Sequence, residues 1–335
     1  MSGIDSAEVA NPGKKRVLIV HNPNSGAADR TRLLDALQET LKSAGFEVQV
    51  QTSLDQLAES CRDPNYVAQL RTVISAGGDG TASAVASRVP AELPITLFPL
   101  GTENLLARWL GAVAVPEAAL ASIKELSCRK IDAATANGIL SLIMVGVGYD
   151  AQVVHEVHSR RTGHITKWAY GWPMFWHAFQ YTFPPLTIRA YHWKNLEMAS
   201  EQQTLPRLPN PERGPSNGFT EDPLCWSARW LFVANLPNYA GGLSVVPNAR
   251  SDDGYLCAAT FQRGFAIPGL AYAASIYFRQ QHWLPDYRVV RAQKFVVESP
   301  VPVRFQVDGD DGGNLPLEIQ VLPGRVCLVE PAKST

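Results

Sequence analysis

Residues 76–81, AGGDGT, sit between an apolar run, Thr72–Ala76 (TVISA), and a helical stretch, Ala82–Arg88. Strand, glycine turn and helix in that order make a ready phosphate site. Glycines at 77, 78 and 80 let the backbone approach a ligand closely. The helix behind them offers unpaired N–H groups and the positive end of its dipole. Asp79 is the odd residue, because a bare carboxylate repels phosphate. It fits if Mg²⁺ or a water network stands between the two, and in that role it is expected on a solvent-facing loop. The plain alternative is a tight turn with Asp79 as its cap.

A second turn of the same kind, Pro99-Leu100-Gly101-Thr102-Glu103-Asn104, follows the strand candidate Ile95–Pro99 (ITLFP) and precedes LLARWLG. A third, Asn22-Pro23-Asn24-Ser25-Gly26, follows Arg16–His21 (RVLIVH). On adjacent parallel strands these turns would lie at the carboxyl edge of the sheet, where α/β proteins bind ligands. Between them, Leu33, Leu34, Leu37 and Leu41 mark a helix over Arg30–Ala44. Gly45 ends it, and Phe46–Gln51 alternates like a strand. Strands alternating with helices imply an α/β domain with a mostly parallel sheet.

After about Ala134 the texture changes to longer strand-like runs with fewer helices between them. These are Leu140–Val147, Leu186–Tyr191, Arg229–Asn235, Tyr255–Phe261, Phe295–Val297, Val303–Val307 and Arg325–Val329. This half reads as β-rich and antiparallel. A Pro-rich stretch near 197–225 reads as a surface insertion.

The chain has 335 residues, enough for two domains at roughly 150 residues each, and 46% are apolar. Thirty basic residues against thirty-one acidic ones argue against a general polyanion or nucleic-acid binder. The amino-terminal stretch has no apolar core, so no secretory signal is expected. Ile139–Gly148 and Ile267–Phe278 are too short to span a bilayer. Five scattered cysteines without a C-x-x-C pair point to a reducing cytoplasm.

Together these residues resemble the diacylglycerol kinase catalytic-domain family of lipid kinases, the soluble bacterial type related to sphingosine and ceramide kinases. The resemblance runs from about Val17 to Val329. Its most specific parts are N-P-x-S-G at 22–26, G-G-D-G-T at 77–81 and P-x-G-T-x-N at 99–104. Later matches are G-x-G-x-D-A at 146–151, N-x4-A-G-G followed by P-x-A-x3-D-G within 235–254, and Asp308-Gly309.

The resemblance implies an NAD kinase/diacylglycerol kinase-like fold. An ATP-binding α/β domain would comprise 14–133 with 315–335. A β-rich acceptor domain would comprise 134–314, with the active site in the cleft between the two. It implies nucleotide contacts at Asn22, Ser25, Gly26, Thr52 or Ser53, Gly77, Gly78, Gly80, Thr81, Thr102 and Asn104. Asp79 would organise phosphate and Mg²⁺, and Asp132 would join the Mg²⁺ water network. The Asp253 side chain, with the backbone carbonyls of Arg250 and Tyr255, would hold a second, structural Mg²⁺. The family's D-G-E is here Asp308-Gly309-Asp310. The shorter Asp310 shifts the expected general base to Asp308, with Asp310 second. An ordinary hairpin turn is the alternative, since Asp-Gly is a common signal for one.

The implied partners are a nucleotide and a lipid acceptor at a membrane surface, with a peripheral location at the inner face. Lys167–Leu186 holds eight aromatics in twenty residues. Trp168, Trp172, Trp176 and Phe179 recur at helical spacing, either for acyl chains or for the domain core. Two alternative functions stay open: an NAD kinase-like small-molecule kinase, and a non-catalytic nucleotide or lipid sensor.

Overall fold

The computed structural model of the chain describes residues 13–22, 29–159, 181–194, 223–239 and 243–333. Ser25 and Gly26, the Pro-rich stretch and most of the aromatic stretch lie outside them.

The chain forms two compact units. One holds the residues up to Ile131 and those from Gly324 onward; the other holds Asp132–Pro323. In the first, β1 (Arg16–His21), α1 (Asp29–Ser43), β2 (Glu47–Gln51), α2 (Leu54–Ser60), α3 (Pro64–Gln69), β3 (Leu70–Gly77), α4 (Asp79–Ala86), β4 (Ile95–Pro99), α5 (Leu105–Leu110) and α6 (Pro116–Glu125) alternate. The strands are parallel in the order β2-β1-β3-β4. α1 buries Leu34, Leu37 and Leu41 against Val17, Ile19 and Ile74 of the sheet. It stops as a Schellman turn: Phe46 N donates to Leu41 O, Gly45 N donates to Lys42 O, and Gly45 takes φ +85°. β3 is buried along its whole length, so its tip is held firmly from both sides.

The second unit begins inside β5 (Cys128–Ala136), which turns into β6 (Ile139–Ser141) through Asn137-Gly138, both at positive φ. That pair is the two-residue hairpin signal. β7 (Met144–Val147), α7 (Tyr149–Ser159), β8 (Leu186–Lys194), β9 (Leu224–Ala228), β10 (Trp230–Ala234), β11 (Leu256–Phe261), α8 (Ala266–Tyr277), β12 (Tyr287–Glu298), β13 (Arg304–Val307), β14 (Asp310–Asn314) and β15 (Leu317–Val329) follow. The pairing is antiparallel in the order β14-β13-β7-β10-β11-β12, and β12 also pairs β8 and the first half of β15. Leu231, Val233, Leu256 and Ala258 share one core with Ile188, Trp226, Phe295 and Ile319.

Two details depart from the sequence reading, and a third falls on one of its two alternatives. The predicted strand Leu140–Val147 breaks at Leu142-Ile143, whose backbone N–H groups turn to a carboxylate described below. The return to the first unit falls at Gly324 rather than 315, because Leu317–Gln320 pair with Val297–Lys294 of β12. The described end of the aromatic stretch is core: Phe183 is 1% exposed and stacks with Tyr149 and Tyr181.

Candidate functional site

In the first unit the strand tips are level. His21 pairs with Ala76, and Gly77 pairs with Pro99. Leu100 N donates to Gly77 O at 2.9 Å, so the second glycine turn begins against the end of β3. The two turns then pack backbone on backbone. A Cβ placed on Gly101 would lie 2.4 Å from Gly78 Cα. No side chain fits at 101, and a Cβ on Gly78 would press to 3.2 Å from Gly101 Cα. A Cβ on Gly77 would strike Thr81 Oγ1 at 2.3 Å, and Thr81 is itself buried.

Asp79 is half-buried at the first position of α4, and not on a solvent-facing loop. Its Oδ2 accepts from Leu105 N at 2.9 Å and its Oδ1 from Leu106 N at 3.0 Å. A carboxylate on one turn thus caps the helix that follows the other. Asn104, in the left-handed conformation (φ 49°), donates through Nδ2 to Gly101 O at 2.8 Å. Its Oδ1 is buried without a protein partner, and such an orphaned acceptor is costly. Gly77, Gly78, Asp79, Pro99 and Asn104 line one narrow cleft.

The other expected nucleotide contacts are more dispersed. Asn22 and Thr102 are exposed beside the tips of β1 and β4. Thr52 is exposed at the end of β2, one strand farther out. Ser53 accepts from Gln56 N at 3.2 Å and is committed to capping α2.

In the second unit, Asp308-Gly309 forms the hairpin between β13 and β14, both residues at positive φ. The Asp308 carboxylate accepts from Ser141 Oγ at 2.7 Å, Leu142 N at 2.8 Å, Ile143 N at 3.0 Å and Met144 N at 2.9 Å. Oδ1 takes three of these donors and Oδ2 one, so the Asp308 side chain braces the break between β6 and β7. Asp310, two residues on, is exposed. Asp311 accepts from His155 Nδ1 at 2.7 Å. Burial raises the pKa of Asp311, but the His155 and Gly313 hydrogen bonds and the Arg304 charge outweigh it and hold it below the usual carboxylate range.

Asp150, at the start of α7, was recognisable only as part of a motif. It accepts from Trp230 Nε1 at 3.0 Å and Gln306 Nε2 at 3.3 Å. Burial pushes its pKa up to about 6 against those hydrogen bonds. A Cβ on Gly146 would lie 1.9 Å from Asp150 Oδ2, so the glycine makes room for the buried acid.

Asp132 is 3% exposed and accepts from Gly254 N at 2.7 Å. Beside it lie Arg250, Asp253 and Tyr255, the expected Mg²⁺ set. Asp253 Oδ1 accepts from Tyr255 N at 3.0 Å, and its Oδ2 is taken by the Arg291 guanidinium. Arg250 pairs with Asp252 at 3.1 Å. Lys194 Nζ and Arg291 Cζ stand 4.6 and 5.3 Å from the Tyr255 ring centre. The Arg291 guanidinium thus serves as counter-ion to the one carboxylate in the expected set.

Residues 16–136 match the family model for the diacylglycerol kinase catalytic domain, and 218–330 match the YegS C-terminal NAD kinase beta sandwich-like domain. A diacylglycerol kinase from Staphylococcus saprophyticus subsp. saprophyticus is 26% identical over 314 residues, covering 90% of this chain and 91% of that protein. One from Staphylococcus carnosus is 26% identical over 329 residues, covering 95% and 96%. The crystal structure of a diacylglycerol kinase from Bacillus anthracis str. Sterne superposes with a TM-score of 0.63 at 19% identity, covering 95% of this chain and 97% of that one. At that identity the likeness concerns the fold.

Proposed function

We propose that this chain, which belongs to the diacylglycerol kinase catalytic-domain family, is an ATP- and Mg²⁺-dependent lipid kinase. It moves the γ-phosphoryl group of ATP to the hydroxyl of a diacylglycerol-like lipid presented at a membrane surface. The observation that carries this reading is the pair of facing glycine turns at the tips of β3 and β4, tied together by Asp79.

The backbone N–H groups of 77–81 and the Thr102 hydroxyl bind and orient the triphosphate, with Asn22, Ser25, Gly26 and Thr52 as outer contacts. Asp79 is half-buried beside both turns. Mg²⁺ is commonly held by one or two carboxylates together with substrate phosphates and water. Asp79 therefore fits an ion that arrives with ATP, and it is the residue that would hold that ion or its waters. When bound, Mg²⁺ neutralises charge on the phosphate oxygens. Asp132, committed to the Gly254 turn, is assigned no part in that shell.

The base is assigned to Asp310, with Asp308 as the residue that positions its hairpin. Asp310 takes the proton of the acceptor hydroxyl as that oxygen bonds to the γ-phosphorus and ADP leaves.

The test is a Mg²⁺-dependent transfer assay from labelled ATP with product mass. Diacylglycerol, ceramide, a sphingoid base and NAD are offered side by side. A phosphorylated lipid is expected. Phosphorylation of NAD alone would move the chain to a small-molecule kinase. Nucleotide binding without any transfer would make it a sensor.

A further inference from the structure

α8 has an unusual outward face. Its sequence, AIPGLAYAASIY, contains no charged residue. Gly269, Tyr272 and Ile276 point inward and are buried, the last two at 2% and 4% exposure. Ile267, Ala271, Ala274 and Phe278, spaced as one helical stripe, point outward and are exposed. A helix that is apolar on both sides belongs in a core or in lipid, yet this one lies at the surface. Its ends extend the patch: Phe265 is 81% exposed, Tyr277 70%, Phe278 66% and Trp283 76%.

The exposed charge along this segment has one sign. No acidic residue occurs from Gln262 to Pro285, whereas Arg263, Arg279 and His282 flank the helix and are exposed. The next acid, Asp286, is turned inward, where it accepts from the Tyr272 hydroxyl and faces Arg263. At 12 residues α8 is about 18 Å long. No helix among the described residues is long and apolar enough to cross a membrane. A short apolar stripe bounded by Trp and Tyr and rimmed by cations suits a helix lying in the plane of an anionic bilayer surface. A second copy of the chain suits it less, because a symmetric pairing would bring both sets of arginines together.

We infer that the outward face of α8, with Phe265 and Trp283 at its ends, is the surface by which this protein docks on an anionic lipid bilayer. The inference builds on the lipid-kinase reading, since an acceptor held in a bilayer requires the enzyme to settle there. Docking is nevertheless measurable without turnover.

The test is co-sedimentation of the full chain with vesicles of phosphatidylcholine alone or mixed equally with phosphatidylglycerol. The double variant Ile267→Asp/Phe278→Asp is run in parallel, with Trp283→Asp as a second variant outside the helix. These side chains are exposed, so thermal midpoints should hold. Wild type is expected on the mixed vesicles, with partitioning reduced roughly tenfold or more in the double variant and unchanged transfer to a short-chain, monomeric diacylglycerol. Equal binding of wild type and both variants would overturn the docking face. So would absent wild-type binding, or a dimer that the variants split. If wild type binds vesicles as expected but phosphorylates no lipid, the docking face stands and the kinase reading falls.

Discussion

Asp79 and Asp308 begin from the same local grammar, an Asp-Gly pair at a tight turn, and each carboxylate reaches backbone N–H groups distant in sequence. Asp79 meets two, on Leu105 and Leu106. Asp308 meets three and the Ser141 hydroxyl. The difference is what each carboxylate holds. Asp79 ties one glycine turn to the helix that follows the other. Asp308 ties its own hairpin to the break between β6 and β7. Within one motif class, the element that supplies the donors separates a brace at the strand tips from a brace inside the second unit.

The sharpest way to break this contrast is at Asp79. Asp79→Ala is expected to lower transfer by roughly a hundred- to thousandfold. It should also cost about 1 to 2 kcal/mol of stability in a denaturant titration, because two helix-terminal N–H groups lose their acceptor. Asp79→Asn should recover part of the stability and little of the activity. Equal recovery of both would reduce Asp79 to a cap. At the other turn the pattern inverts. Asp308→Ala should destabilise by about 3 kcal/mol or more, with several partly buried donors left unpaired. Asp310→Ala should stay within about 0.5 kcal/mol of wild type while losing roughly a hundredfold or more in turnover. Full activity in Asp310→Ala would return the base role to another residue.

A smaller effect is expected from Asp150. Its folded pKa, about 6, lies above the ordinary 3.8, so the folded state holds the proton more tightly. The stability this contributes is complete below about pH 4 and is lost as pH rises through about 6. Asp150→Asn should flatten that slope in pH-dependent unfolding and be the more stable protein above pH 6, by at most about 3 kcal/mol. The smallest effect concerns Asp253. With Arg291 as its counter-ion, the thermal midpoint without nucleotide should not move between EDTA and Mg²⁺. A midpoint that falls in EDTA and recovers with Mg²⁺ would show a structural ion after all.

The local signals were legible in the chain. The Leu34, Leu37 and Leu41 stripe, the stop at Gly45 and the three strands ahead of glycine turns depend on near neighbours, and all appear. What escaped depends on partners far along the chain. Asp79 caps a helix 26 residues away, Asp308 binds a turn more than 160 residues earlier, and Arg291 pairs with a carboxylate 38 residues before it. No periodicity encodes such pairings. Asn137-Gly138 is a different matter, since that hairpin signal stands openly in the sequence. α8 appeared there merely as a short apolar run, because its outward stripe is as apolar as its inward one and gives no amphipathic period.

Hydrogen exchange on the intact protein, with and without Mg-ATP, tests most directly whether the two facing turns grip the nucleotide. Protection on adding Mg-ATP is expected to concentrate in 77–82 and 100–106, with little change around 141–144. Protection confined to other strands, or none at saturating nucleotide, would contradict the account.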